Sequence, residues 1–376
     1  MMEKHNFKVE ELALSTWDGT LELMSTSTLA GDPAAEIFRF NATFNGAAKE
    51  SGLCYDWASL DSIDLTDDKW SKPLFDMMSD GDKIYGISLF DRPKRIILFN
   101  KRLFEEAGLD PELLYDLQAN GEWTWDKFME ISEKLTQDTD NDGINDVYAL
   151  VAQQGQFAQA AVFSNGGSFV DMDENGDYIN DLVSAESVAA LEWCEDYWNT
   201  DFDAKPEHWN GHKELFTGGV AAMYVTEEWT GTTLTHDVMP DDWGMVVFPK
   251  GPSADNYVTV YNEKAWVIPN IYTKEEAEDI AFAIDLWTEP APGYDEPDAW
   301  MAASYPVYRD ARAVEESLAI MRDPDVMATD LSLFISSNVK ITQAADDVYY
   351  GRMSPVEAIE AQESIIQAEL DKLNAN

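Results

Sequence analysis

Apolar runs of strand length, set between stretches with helical spacing, constrain this chain more than any other feature of its sequence. Residues 84–89 and 95–99 are apolar and rich in β-branched side chains, and the polar Asp91-Arg92-Pro93-Lys94 between them marks a turn or crossover. Similar runs at 147–151, 221–225, 244–248 and 265–268 predict further strands. Near the start, 7–14 alternates as a strand does, and 17–30 carries Leu21, Met24 and Leu29 among its helical apolar positions. Gly31-Asp32-Pro33 stops that helix before a second strand at 36–40. A strand, a helix and a strand within that span follow the grammar of a parallel crossover. Helices are predicted at 101–107, at 125–135 behind the N-cap Thr124, and through the last third at 274–288, 311–321 and 355–373. The expected class is α/β, built on a parallel sheet with helical crossovers.

At 376 residues the chain exceeds what one hydrophobic core usually serves, so two lobes are expected. No low-complexity linker separates them. Charge removes whole classes of function. With 72 Asp and Glu against 25 Lys and Arg, the formal net charge is −47, and such a surface repels nucleic acid and anionic headgroups. No nucleic-acid partner is expected. Cys54 and Cys194 stand in no metal-ligand spacing and support neither a disulfide framework nor a zinc site. No segment has the apolar length that spans a bilayer, and residues 1–7 lack the apolar core of a signal peptide.

Several segments follow one another in a telling order. Leu29-Ala30-Gly31-Asp32-Pro33-Ala34-Ala35-Glu36-Ile37 comes first, then Tyr85-Gly86-Ile87-Ser88 and Leu98-Phe99-Asn100-Lys101-Arg102-Leu103-Phe104 with Ala107-Gly108-Leu109. Trp123-Thr124-Trp125-Asp126-Lys127-Phe128 follows, then Gly218-Gly219-Val220-Ala221-Ala222-Met223-Tyr224 ahead of Glu228-Trp229, and finally Tyr350-Gly351-Arg352-Met353-Ser354-Pro355. Together these resemble the family 1 extracellular solute-binding proteins, the maltose-binding-protein-like sugar receptors of ABC importers. The resemblance implies a two-lobe, periplasmic-binding-protein-like fold of type II, with ligand in the cleft between lobes and capture by hinge closure. It implies lobes of 1–103 with 259–308 and of 104–258 with 309–376, the chain crossing near 100–107, near 256–263 and again after Tyr305. It further implies a carbohydrate ligand, the transmembrane subunits of an ABC permease as partners, a monomer, and an extracellular lipoprotein or periplasmic location. Family members place a signal, a first strand and a long helix ahead of the segment matching Phe7. A first lobe short of roughly 35 to 45 residues is therefore expected here, with 1–6 as the tail of that helix.

The sharpest local motif is Asp138-Thr139-Asp140-Asn141-Asp142-Gly143-Ile144-Asn145-Asp146. Asp138, Asp140 and Asp142 alternate as in a calcium loop, Gly143 permits the tight turn, Ile144 supplies a carbonyl and Asp146 completes the set. Hard carboxylate oxygens suit a structural Ca²⁺. Ala149 stands where the EF-hand has its bidentate Glu, and a simple Asp/Asn turn before the next strand is the competing reading. Asn175-Gly176, between Phe169-Val170 and Tyr178-Ile179, signals a hairpin.

The resemblance also points to ligand-binding side chains. Trp229 follows the strand 221–225 where the family presents an aromatic ring, on which a sugar's C–H face stacks while its hydroxyls meet Glu228. A core Trp is the competing reading, since most of the 13 Trp, 15 Tyr and 17 Phe are expected inside. Asp91 and Arg92 offer acceptors and a fork of donors for hydroxyls, or form a surface ion pair. Tyr261 and Asn262 stand at the second crossing, as cleft residues or as a hinge. Phe44 and Asn45 follow a strand at the carboxyl edge where open α/β sheets place ligands. Asn165 and Tyr305 occupy family-like cleft positions.

Enzymatic signatures are weak. His208 and His212 have i, i+4 spacing without the glutamate of a zincin, and neither a Walker A loop nor a nucleophile elbow occurs. With 72 acids, a glycosidase-like carboxylate pair carries no information. The expected function is capture of a mono- or oligosaccharide with no required cofactor. A polyamine or other cation binder on the same fold, and a truncated copy with impaired binding, are the alternatives.

Overall fold

Ile96–Asn100 (β1) is the strand around which the larger part of the molecule is organised. Ile96, Ile97, Leu98 and Phe99 are all fully buried. Each such side chain stabilises by about 1.5 to 3 kcal/mol, a gain reached only when both faces are covered. The structure is a computed structural model and describes residues 5–89, 95–208, 211–261, 264–290, 299–335 and 339–375. Within it β1 lies inside a four-stranded sheet with Tyr148–Ala152 (β2), Ala221–Thr226 (β3) and Trp243–Val247 (β4), in the order β2, β3, β1, β4. β2 and β3 are parallel, but β1 runs antiparallel to both of its neighbours. The expected parallel sheet is therefore corrected to a mixed one. Strands buried on both faces read alike in either direction, so composition does not encode the sense of pairing.

Trp125–Leu135 and Gln154–Ser164 pack on this sheet and further helices on them, the first of these and Pro355–Leu373 where the sequence spacing places helices. Trp125–Leu135 (α1) begins with the Thr124 hydroxyl accepting the Lys127 N–H at 3.4 Å. Gln154–Ser164 (α2), Ala185–Trp198 (α3) and Pro355–Leu373 (α4) follow, the last opened by a reciprocal cap between Ser354 and Glu357. Aromatic rings fill the space between them: Trp125 stacks on Trp193 at 4.4 Å, and Phe128, Phe157 and Tyr197 interlock beside them. Many of the chain's abundant rings are buried in packing of this kind, Trp57, Trp70, Trp123 and Trp243 among them.

The chain divides into two compact units, one of Met1–Asp91, Asn262–Glu296 and Leu331–Val339, the other of Arg92–Tyr261, Pro297–Asp330 and Lys340–Asn376. The first unit pairs Phe38–Arg39 antiparallel with Trp266–Val267, and Trp57, Trp70, Ile87, Ile268 and Ile284 form its core. Its helix Lys274–Thr288 starts with a capping box of Thr273 and Glu276. The expected lobe of 1–103 with 259–308 differs from this unit. β1 and the following helix Lys101–Glu106 belong to the second unit because both hydrogen-bonding partners of β1 lie there.

Two local expectations are also revised. Residues 7–14 form no strand, and Leu12 and Leu14 are exposed. Alternation makes a strand only when a neighbour takes its backbone groups, and among the described residues none does. The predicted helix at 311–321 contains a π-helical stretch, Ala313–Leu318, before Ala319–Met321. The hairpin is present as Val170–Met172 with Tyr178–Asn180, and Gly176 takes the positive φ of 88° that its turn needs. Cys54 and Cys194 are buried free thiols, and burial pushes Cys54 up to about 12.

Asp203 lies along the edge of β2, where the Ala204 N–H donates to the Leu150 carbonyl at 2.8 Å. Its Oδ1 is buried without a hydrogen-bond partner, while Oδ2 accepts a long bond of 3.5 Å from the Tyr349 hydroxyl. Burial pushes this carboxyl up to about 7, against the lowering pull of Lys205. The folded protein thus keeps a proton that the unfolded chain has released above its ordinary value of 3.8. This group's contribution to stability is complete below that value, falls as the pH rises, and is level above about 7. Denaturant unfolding of the native chain and of Asp203→Asn between pH 4 and pH 8 should show the native chain losing a few kcal/mol relative to the variant across this window, because each tenfold difference in proton affinity between folded and unfolded chains is worth on the order of 1.4 kcal/mol. Parallel profiles would contradict the assignment.

Candidate functional site

The antiparallel register of β1 on β3 sets Ile96 opposite Thr226, so the next residues outward, Arg95 and Glu227, face each other. Arg95 Nη1 lies 3.5 Å from Glu227 Oε1. Burial pulls the Arg95 guanidinium down, and the carboxylates of Glu227 and Asp330 pull it back up. A buried cation is tolerated only with such partners. After Glu227 the chain turns into the 3₁₀ helix Glu228–Thr233, across whose first turn the Thr226 and Thr230 hydroxyls are hydrogen-bonded at 2.9 Å. Gly231 allows this turn to lie on two buried rings. A Cβ there would meet the Trp243 ring at 3.0 Å and the Tyr308 ring at 3.1 Å.

These constraints leave Trp229 standing outward, 49% exposed, with its indole N–H donating to the Glu227 carboxylate. Trp229 is not a core residue. A flat apolar face held by a fixed carboxylate can stack against one side of a polar ring. Neighbouring Glu228 is buried in the same turn. Tyr305 is also exposed, with its hydroxyl donating to Glu315 Oε1 at 2.7 Å. It sits one turn from Tyr308, so Trp229 and Tyr305 rise from segments joined by the packing of Gly231 on Tyr308.

The remaining residues singled out in the sequence are placed differently. Tyr261 is buried, its hydroxyl donating to the Met321 carbonyl, in a strand Thr259–Tyr261 that runs parallel to Met327–Thr329. Asn165 is fully buried and braces the loop after α2, donating to the Glu186 carbonyl at 2.9 Å and accepting from the Ser253 N–H at 3.0 Å. In the first unit, half-buried Phe44 packs 5.6 Å from the exposed Trp17, while buried Asn45 accepts from the Ala265 N–H at 3.4 Å. Asp91, Arg92 and Asn262 lie outside the described residues. Sequence reasoning passes over Arg95, Glu227 and Trp17. The signal for the first two is their position as the polar residues flanking two apolar runs, which only a register could pair.

In the acidic loop, carboxylate oxygens of Asp138, Asp140 and Asp146 lie within 4.8 Å of one another, the one such group among the described residues. Asp138 accepts from the N–H groups of Asp142 and Gly143, at 3.2 and 2.8 Å. Asp146 accepts from both the N–H and the hydroxyl of Thr139, bonds that hold its carboxyl below the usual range. Asp142 is turned instead to the Ile144 N–H at 2.8 Å. Ile144, whose carbonyl is the expected ligand atom, is itself exposed. No helix among the described residues is long and apolar enough to cross a membrane.

Solved structures with the same fold are solute receptors. An ABC transporter solute-binding protein of Thermotoga lettingae, bound with α-D-tagatose, superposes with a TM-score of 0.66 at 17% identity, covering 94% of this chain and 90% of its own. UgpB of Mycobacterium tuberculosis, in complex with glycerophosphocholine, gives a TM-score of 0.70 at 15% identity, covering 99% and 92%. The substrate-binding protein Lmo0181 of Listeria monocytogenes, in complex with cycloalternan, gives 0.66 at 18% identity, covering 94% and 89%. At these identities the likeness is one of fold. No curated protein sequence matches the chain. The family model for the bacterial extracellular solute-binding protein matches residues 1–294, well over half the sequence, and with the two-unit α/β architecture this means that the chain belongs to the bacterial extracellular solute-binding proteins.

Proposed function

We propose that this chain is the carbohydrate receptor of an ABC importer, capturing a mono- or oligosaccharide without altering it. The observation that carries the reading is the exposed indole of Trp229, fixed beside a carboxylate at the end of β3. A pyranose ring presents an apolar C–H face to such a platform and a rim of hydroxyls to the polar groups around it. Relatives of this fold that hold tagatose and cycloalternan support the ligand class. Capture by hinge closure, delivery to permease subunits and anchoring as a lipoprotein belong to the same proposal, as the family resemblance implies. So does a structural Ca²⁺ in the loop of Asp138, Asp140 and Asp146, whose clustered oxygens suit a hard cation. A second reading is favoured by the acidic surface and by the carboxylate beside the indole, which also suit a cationic amine.

Calorimetric titration with neutral mono- and oligosaccharides and with spermidine separates the readings. A saccharide should bind, and Trp229→Ala should weaken it at least tenfold, about 1.4 kcal/mol or more, with the fold intact by circular dichroism. Binding of spermidine alone would favour the amine reading, and unchanged saccharide affinity in the variant would remove Trp229 from the site. Millimolar Ca²⁺ should raise the melting temperature of the native chain and leave that of Asp138→Asn unmoved. An equal response of both would refute the calcium site.

A further inference from the structure

We propose that Glu227, held from behind by Arg95, is the residue that positions the Trp229 indole for its ligand. This rests on the reading of Trp229 as the ligand platform. The two oxygens of one carboxylate are divided between the two partners: Oε1 faces Arg95 Nη1 at 3.5 Å, and Oε2 accepts the indole N–H. Arg95 is buried and rooted at the start of β1, with its main chain fixed by the register of the sheet. Asp330 adds a second negative charge at the guanidinium and accepts from Gln159 Nε2 at 2.5 Å. Gln159 on α2 holds Asp330, the charge of Asp330 acts on Arg95 just ahead of β1, Arg95 pairs with Glu227 just beyond β3, and Glu227 holds Trp229.

An exposed tryptophan without such a tether samples several orientations, and freezing one on binding costs affinity. A hydrogen bond to a carboxylate that is itself pinned fixes the ring beforehand. With one oxygen on Arg95 and the other on the indole N–H, Glu227 acts through the ring, which makes it a positioning residue. Its effect should therefore vanish when the indole N–H is removed.

Two measurements test this. In the ¹⁵N-labelled native chain, the indole resonance of Trp229, identified by its loss in Trp229→Phe, should move upfield and broaden in Glu227→Ala and in Arg95→Leu, while the other indole resonances stay in place. Arg95→Lys, which keeps the charge at a buried site, guards against a folding failure and should produce a smaller displacement. An unmoved Trp229 resonance in Glu227→Ala would overturn the proposal whether or not any saccharide binds. The second measurement is a double-mutant cycle with maltotetraose and α-D-tagatose as probes. Glu227→Ala should weaken binding about tenfold in the native chain and less than about twofold in the Trp229→Phe chain. Equal losses in both backgrounds would overturn the positioning role. Saccharide affinity unchanged in Trp229→Ala would instead strike the reading of the platform, leaving the resonance to decide the tether.

Discussion

Pairing of β1 between β3 and β4 is the constraint on which the rest of the second unit depends. Its register fixes both ends of the strand at once. At one end it brings Arg95 to Glu227. At the other, Asn100 caps the next helix, accepting from the Arg102 N–H at 3.0 Å, and its amide donates to Asp241 Oδ2 at 2.8 Å. Arg102 closes that cluster on the same carboxylate at 2.9 Å and holds Asp241 below the usual range. A slip of one residue would turn every buried side chain of β1 to the opposite face and separate both polar clusters. Ile96, Ile97, Leu98 and Phe99 differ in shape and are packed on both faces, so the slip would misfit them and draw a polar end residue into the sheet, and packing at the centre sets polar geometry at the rim.

Scarcity of cations shapes the rest of the electrostatics. With 25 basic residues among 72 acids, partly buried cations serve several carboxylates each. Lys101 lies between Asp310 and Glu112, and Arg312 gathers Glu112, Asp116 and Glu316. Exposed pairs such as Lys127 with Glu130 add little, because solvent screens them. The Arg95 cluster differs because Arg95 and Asp330 are themselves buried, where loss of a charged partner costs more than it does in water.

Helices are the most legible part of the fold. Trp125–Leu135, Lys274–Thr288 and Pro355–Leu373 can be read to the residue because capping side chains and apolar spacing agree at their ends. Strand positions in the four-stranded sheet are legible as well, while the run at 84–89 yields only Lys83–Ile84 and isolated bridges; strand direction is not legible, because pairing is a long-range choice that apolar runs leave open. The alternation at 7–14 misleads for the same reason. Trp229 can be singled out from its place beyond β3, but its tether cannot, since Arg95 and Glu227 are far apart in sequence and meet only through the sheet. In the acidic loop the spacing groups Asp142 with the other carboxylates, while local geometry turns it to its own backbone.

A rigid sheet whose register holds out one aromatic platform is the physical basis of the proposed receptor, and a saccharide ring lying on the face of Trp229 is its central requirement. Saturation-transfer NMR with maltotetraose and α-D-tagatose tests this most directly. Saturating the aromatic protons of the native chain should transfer to the C–H protons on one face of a sugar ring, and the transfer should disappear in Trp229→Ala. Undiminished transfer in that variant, or saturation spread evenly over both faces of the ring, would contradict it.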